Sequence, residues 1–265
     1  MMLAEQRLQE IMSRLRSLGT LTVEAVAREF EVSLDTVRRD FNRLARQPGV
    51  RRAHGGILLD RTERDSPLSE REQRFSREKL AVARAAAGLV EPGETIVLDA
   101  GSTTALMVDY ITAPEVTVIT CSVAIAARAF VRDNLTVFVM GGLVHSTTGS
   151  TVGDDALRMI RSMQASTAFL GANGFGLERG LVTPNYHEAG NKRAIMEVSR
   201  RRVLLVDSSK LGRHALARFG ELAEMDVIVT DGGIPEHELD ALRRQVDRVI
   251  AVDVEGTGMN GEMAL

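Results

Sequence analysis

Arginine is the residue whose placement first suggests chemistry in this chain. Six arginines, Arg38, Arg39, Arg43, Arg46, Arg51 and Arg52, stand between positions 36 and 52 against one acid, Asp40. A guanidinium offers planar, paired N–H donors that match phosphates and base edges. The spacing predicts a helix with the apolar stripe Leu34, Val37, Phe41 and Leu44; Arg39, Arg43 and Arg46 lie nearly opposite it, flanked by Thr36 and Arg38. An isolated surface helix gains nothing in folding from such a face, whereas a helix in the major groove of DNA needs one.

A second set of chemically able residues lies where β-branched runs give way to small and polar ones. These places are Asp99-Ala100-Gly101-Ser102-Thr103-Thr104, Thr120-Cys121-Ser122, Gly141-Gly142, Gly171-Ala172-Asn173-Gly174 and Asp207-Ser208-Ser209-Lys210. Gly101, Ser102, Thr103 and Thr104 open a helix, where backbone N–H groups, hydroxyls and the helix dipole together favour a phosphate. Lys210 follows a strand and precedes Leu211-Gly212, a setting that suits a ligand contact. Glu188 and Lys192 are one helical turn apart, which equally allows a surface i,i+4 pair. No GxGxxG follows the first strand and no GxxxxGK[ST] occurs, so neither a dinucleotide nor a nucleoside triphosphate is the expected ligand.

The elements that position these residues are legible. A first helix runs from Leu3 to Leu18 with Leu8, Ile11, Met12, Leu15 and Leu18 on its apolar face, and Gly19 ends it. Thr22 caps a second helix over residues 23–30, and Ser33 caps the arginine helix. A hairpin over residues 50–59 turns at Gly55-Gly56 and brings Arg51, Arg52 and His54 toward phosphates beside the groove. This is the order of a winged helix-turn-helix. Residues 1–59 are therefore read as a DNA-binding domain contacting DNA through Ser33, Thr36, Arg38, Arg39, Arg43, Arg46, Arg51, Arg52 and His54.

Residues 60–75 read as a charged linker, with Ser69 and Glu72 forming a capping box for one helix that continues to about residue 89. Over residues 76–254 short apolar strands alternate with helices: strands at 95–99, 116–120, 136–140, 168–170, 203–207, 227–230 and 249–252. That rhythm implies a mainly parallel, Rossmann-like α/β sheet covered on both faces, with ligands beyond the carboxyl ends of its strands. The tail, residues 255–265, is Gly- and Met-rich and is expected to fray.

Charge is divided unevenly. Residues 1–64 hold twelve Arg and nine acids, a balance of +3, which leaves −6 of the net −3 on the remainder. The basic end is the nucleic-acid end. One cysteine excludes an intramolecular disulfide, and one Cys with five scattered His makes no zinc cluster. Without an apolar leader or an apolar run of about 18 residues, the expectation is a soluble cytoplasmic protein with no membrane partner.

The stretch VSLDTVRRDFNRLARQPGVRRAHGGILL resembles the DNA-binding signature of DeoR-type bacterial repressors: a Val-Ser cap, Thr-Ile-Arg-Arg-Asp-Leu, then Arg-x-His-Gly-Gly. Val37 and Phe41 replace the usual Ile and Leu, and Pro48 stands where the family has a flexible residue; none alters the basic face. Residues 76–253, with REK, LDAGSTT, TCS, VMGG, GANGF, HEAGNKRAIM and VDSSKLG, resemble the sensor half of the same regulators. The resemblance implies a domain similar in fold to ribose-5-phosphate isomerase and the coenzyme A transferases, an effector that is a phosphorylated sugar or polyol, no cofactor, and a homo-oligomeric repressor released from double-stranded operator DNA. Carried over by motif, the phosphate lies on Gly101, Ser102, Thr103 and Thr104, and Asp99, Ser122, Gly142, Asn173, Glu188, Lys192 and Lys210 surround the sugar.

The alternative is a sugar-phosphate isomerase fused to a DNA-binding module. The isomerase this half resembles uses a Gly-Ala-Asp-Glu segment to move a proton; here the segment is Gly171-Ala172-Asn173-Gly174. An amide and a hydrogen cannot serve as a general base at neutral pH, although Glu188 remains. The reading is a regulator, with no catalytic or metal-binding residue assigned.

Overall fold

The computed structural model describes residues 4–47, 50–53, 55–59 and 67–254, in two compact units, Met1–Thr62 and Glu63–Leu265. Pro48, His54, the linker residues 60–66 and the tail 255–265 lie outside the described residues.

The first unit contains α1 (Ala4–Leu18), β1 (Thr20–Thr22), α2 (Val23–Glu29), α3 (Leu34–Leu44), β2 (Val50–Ala53) and β3 (Gly56–Leu59). Gly19 takes φ +76°, the left-handed turn that lets the chain leave α1. The Thr22 hydroxyl accepts from the N–H of Ala25 and the Ser33 hydroxyl from that of Thr36, so both caps fall where the residue types place them. Leu8, Ile11, Leu15, Val23, Val26, Val37, Phe41, Leu44, Val50 and Ile57 form the core. Leu34 is not part of it: at 43% exposure it stands at the first residue of α3, before the stripe turns inward.

The hairpin is a wing of three strands, because β1 adds to it in the order β1-β3-β2. Gly55 has φ +73° and makes the turn, whereas Gly56 is needed for room: a Cβ there would lie 2.5 Å from the carbonyl oxygen of Leu21.

The second unit begins with α4 (Leu68–Gln73) and α5 (Ser76–Ala87), two helices rather than one. Phe75, at φ +52°, breaks them, and α4 starts at Leu68, so Ser69 lies inside the helix and not at its cap. The stretch expected to be linker to residue 75 is thus partly helical, and α4 packs on α6 (Ser102–Met107).

The rest alternates: β4 (Thr95–Leu98), β5 (Val116–Thr120), α7 (Val123–Ala129), β6 (Leu135–Val139), β7 (Leu143–His145), β8 (Ser150–Val152), α8 (Asp154–Arg161), β9 (Ala165–Gly171), β10 (Gly174–Gly176), β11 (Gly180–Thr183), α9 (Tyr186–Val198), β12 (Ser199–Leu205), β13 (Ala217–Gly220), β14 (Val227–Asp231), α10 (Glu236–Arg243) and β15 (Arg248–Val252).

Seven of these strands form one sheet in the order β15-β14-β12-β9-β4-β5-β6, and every pairing in it is parallel. These are the seven strands expected from the β-branched runs. Ile96 and Leu98 face a layer of α5, α6 and α7, while Val97 faces α8, α9 and α10 on the other side. Continuous apolar strands are what such double burial demands. The chain proceeds outward from β4 through β5 to β6, then returns to the other side of β4 at β9 and proceeds through β12 and β14 to β15. The switch point between β4 and β9 is where a sheet of this kind opens a crevice at its carboxyl end. Two small antiparallel sheets, β7-β8 and β10-β11-β13, lie outside the main sheet.

Candidate functional site

In the first unit, α3 carries the basic face. Asp40, the one acid among the six arginines, is not on it: it is buried, and its carboxylate accepts from Arg7 Nε of α1 at 2.6 Å. That bond raises the Arg7 pKa further and ties α1 to α3. Of the outward arginines, Arg38 pairs with Asp35 at 2.8 Å and Arg43 with Glu5 at 2.5 Å. Exposed pairs of this kind are worth under about 1 kcal/mol each, so a phosphate can displace the carboxylates. Arg39 is exposed and makes no ion pair among the described residues. Arg46 is exposed too, but lies past the end of α3. Ser33 and Thr36 hydroxyls bond to each other at 2.9 Å at the amino end of the helix.

In the wing, Arg51 and Arg52 are exposed on β2. Arg52 is anchored, donating to the Gly56 carbonyl at 3.0 Å with its guanidinium 5.6 Å from the Phe41 ring centre.

In the second unit, the switch point gathers residues far apart in sequence. Asp99 follows β4, and its carboxylate accepts the N–H of Gly171, at the end of β9, at 3.1 Å. Lys192, from α9, donates to the same carboxylate and to the Gly171 carbonyl at 3.0 Å, with its ammonium 5.4 Å from the Phe219 ring centre. The surface pairing of Glu188 with Lys192 does not form: both residues are buried, and the lysine turns to Asp99. Asn173 is buried beside them, its amide oxygen accepting from Thr183 at 3.2 Å. Glu188 has one carboxylate oxygen, Oε1, buried without a hydrogen-bond partner, and burial raises its pKa despite Lys192 and the Thr148 hydroxyl.

The loop after β4 divides its labour. The Thr104 hydroxyl is fully buried and donates to the carbonyls of Asp99 (2.6 Å) and Gly101 (3.0 Å), so it holds the loop closed from within. Ser102 and Thr103 form no side-chain hydrogen bond among the described residues, which leaves their hydroxyls for a ligand. Ser122 is the cap of α7, accepting from Ile125 N–H at 3.3 Å. Gly142, at φ +135°, is exposed, and a Cβ on it would meet the Val152 carbonyl oxygen at 2.8 Å; the glycine serves the approach of β8.

Lys210 belongs to a second cluster that the sequence reading left largely unrecognised. Its centre is Asp207, buried at the end of β12 and accepting the Ser209 N–H at 3.2 Å. Lys79 of α5 lies 4.0 Å from Asp207 and donates to the carbonyls of Arg71 (2.8 Å) and Arg74 at the carboxyl end of α4, where the helix dipole favours a cation. Burial lowers the Lys79 pKa to about 8, with Lys210, Arg71 and Arg74 adding to the effect and Asp207 opposing it. Lys210 is lowered too, again by burial first. The Arg71 side chain extends among these groups, and its Nε and Nη2 are buried without a hydrogen-bond partner among the described residues. Arg71 acts electrostatically on Lys79, Lys210 and Glu188 alike, so the cluster adjoins the switch point.

The arrangement brings four cations, Arg71, Lys79, Lys192 and Lys210, together with four acids, Asp99, Glu188, Asp207 and Asp231, and leaves two Arg71 nitrogens buried without a hydrogen-bond partner among the described residues. Such nitrogens suit an anion. Cys121 takes no part, because burial pushes its thiol up to about 12. Among the described residues no helix is long and apolar enough to cross a membrane.

Comparison with known proteins finds a family model for each of the two units. Residues 7–63 match the family model described as the DeoR-like helix-turn-helix domain, and residues 74–232 match the DeoR C-terminal sensor domain. The chain is 31% identical to the glycerol-3-phosphate regulon repressor of Escherichia coli, over 87% of this chain and 92% of that one. A putative aga operon transcriptional repressor, also from Escherichia coli, is 31% identical over 93% of each. Among solved structures, ribose 5-phosphate isomerase A of Methanocaldococcus jannaschii aligns with 50% of this chain and 53% of its own at 22% identity, with a TM-score of 0.37. With both domain models matched in sequence and full-length relatives named as repressors, the chain belongs to the DeoR family and is a DNA-binding transcriptional regulator rather than an enzyme.

Proposed function

We propose that this regulator is a homo-oligomeric repressor of a sugar or polyol operon, and that a phosphorylated sugar or polyol bound at the carboxyl end of the main sheet releases it from operator DNA. The observation that carries the effector half is Arg71: a guanidinium with two buried, unpartnered nitrogens beside Lys79 and Lys210. Buried guanidinium nitrogens left without a hydrogen bond cost several kcal/mol, and a phosphate dianion is the ligand that removes that cost. The hydroxyls of Ser102 and Thr103 lie on α6, the helix on which α4 and Arg71 pack, and they supply neutral donors for the same anion. Asp99, Asn173, Glu188 and Lys192 then face the sugar hydroxyls. The relatives named for glycerol 3-phosphate and aga regulons support a small carbohydrate-derived effector. No cofactor enters this reading, and the protein works in the cytoplasm, where the operator is.

Release needs only a modest coupling: about 1–3 kcal/mol of preference for one conformation changes operator affinity roughly 5- to 150-fold. The test is a melting screen against phosphorylated sugars and polyols, each beside its unphosphorylated parent. A ligand at 100 times its Kd adds about 2.7 kcal/mol, which for a domain of this size raises Tm by about 5–10 °C. The phosphate-bearing member of one pair shifts Tm and weakens operator binding, and Arg71→Ala and Ser102→Glu abolish both responses while leaving operator binding intact. A shift equal for phosphate and parent, or one that survives in both variants, refutes the assignment.

A further inference from the structure

Exposed apolar side chains are not scattered over this protein. Of the eleven large hydrophobic residues that stand exposed among those described, seven fall between positions 123 and 144: Val123, Phe130, Val131, Phe138, Val139, Leu143 and Val144. They belong to α7 and the residues after it, to β6 and to β7. β6 is an edge strand of the seven-stranded sheet, hydrogen-bonded to β5 on one side only. Edge strands are ordinarily protected by lysines, prolines, bulges or covering elements, because their open N–H and C=O groups invite pairing. This one has none of the sequence protections: residues 135–145, LTVFVMGGLVH, contain no Asp, Glu, Lys, Arg or Pro. The opposite edge differs. β15 opens with Arg248, and its remaining residues are half-buried, with no exposed large hydrophobic.

We infer that this edge, β6 with α7 and β7, is where a second copy of the chain docks, forming a two-fold dimer of sensor domains. The inference deepens the homo-oligomer reading above and rests on it. Area is the first argument. At the exposures of 46–75% shown by the seven side chains, and with side chains of roughly 150–200 Å², they present on the order of 700 Å² of apolar surface. Phe138 and Val139, adjacent on a strand, face opposite sides of the sheet, so this surface wraps the edge, and taken together it approaches the roughly 800 Å² per partner of a standard stable interface. The second argument is the kind of partner. β6 itself carries no charge and the charges beside it are of both signs, Arg128, Arg132 and Asp133, so the edge offers nothing that would select an acidic or a basic protein, whereas its open strand can pair with its own copy. A two-fold axis lets β6 face its own copy antiparallel, so that each edge covers the other, and closed two-fold pairing is the commonest way a soluble chain buries such a surface. The third argument is use: one recognition helix reads one half-site, and a dimer presents two.

The experiment measures mass in solution, without DNA, by light scattering and sedimentation on the full chain. Wild type has a mass of two chains or an even multiple; Phe138→Glu and Phe130→Glu each halve it, with circular dichroism unchanged because both positions are solvent-facing in the single chain. Leu216→Glu, 80% exposed and outside the patch, leaves the mass as in wild type. As a measurement independent of stability, Val139→Cys cross-links to its own copy with a short bis-maleimide, the native Cys121 being buried, and Leu216→Cys does not. A monomeric wild type, or an unchanged mass in both glutamate variants, overturns the inference. Since no DNA is present, absence of operator binding would count against the repressor reading and leave the mass result standing.

Discussion

Lys79 makes the effector response depend on pH in a direction that can be worked out. The residue is 4% exposed and its pKa falls from 10.5 to about 8 because burial penalises the charge and neighbouring cations repel it. At pH 7 roughly nine-tenths of the protein then carries the charge, and at pH 9 roughly one-tenth. A sugar phosphate becomes a dianion above about pH 6. Affinity is therefore greatest between these limits. If the anion binds the protonated lysine, affinity falls about tenfold from pH 7 to pH 9, or about 1.4 kcal/mol.

Stability runs the other way. The unfolded lysine titrates near 10.5 and the folded one near 8, so between these values the unfolded chain binds more protons, and this group makes the unliganded protein more stable as pH rises. Lys210 is shifted in the same sense. A loss of affinity at pH 9 thus cannot be assigned to unfolding at these lysines. Calorimetric titration with the phosphorylated ligand chosen by the melting screen, repeated in buffers of different ionisation enthalpy, should show proton uptake on binding at pH 8. Lys79→Arg keeps its charge and should flatten most of the decline. Affinity that is level from pH 7 to pH 9, or an equal decline in Lys79→Arg, refutes the reasoning.

Two further outcomes test the DNA-binding unit. Arg39→Ala removes an outward guanidinium with no ion pair among the described residues to lose, and should cost about 1–3 kcal/mol of operator affinity at fixed salt with the effector-induced melting shift unchanged; an unaltered affinity by fluorescence anisotropy would place the reading face elsewhere. Asp40→Ala leaves Arg7 buried and unpaired and should destabilise the first unit by about 3–5 kcal/mol, lowering its transition by more than about 10 °C while the sensor's transition stays put; a loss below about 1 kcal/mol would mean the pair behaves as a solvated one.

What the sequence disclosed and what it withheld follow from how each element is stabilised. The seven parallel strands were legible because burial on both faces forces an unbroken β-branched run. The wing strand β1 and the short strands β7, β8, β10, β11 and β13 were not, because three- or four-residue strands carry no period of their own and exist through partners distant in the chain. Asp99 and Lys192 could be nominated singly from their motifs, but their pairing across 93 positions could not.

Neither Lys79 nor Arg71 was nominated, Arg71 lying in the stretch read as linker and Lys79 entering only as part of the REK motif, yet a signal was present for one of them. Lys79, Val82, Ala83, Ala86 and Ala87 all lie on the buried face of α5, so the lysine is in phase with the apolar stripe. Asp40 is likewise in phase with Val37, Phe41 and Leu44 on α3, and Glu188 and Lys192 with Ile195 and Met196 on α9. A helix that places a charge on its inward face must supply a partner for it. On α3 the partner is Arg7, within the same unit, and the charge is structural. Around α5 and α9 the unpartnered nitrogens of Arg71 stand among the buried charges, and the partner proposed for them is the ligand. Periodicity locates the buried charge; only the count of its neighbours separates a brace from a binding site.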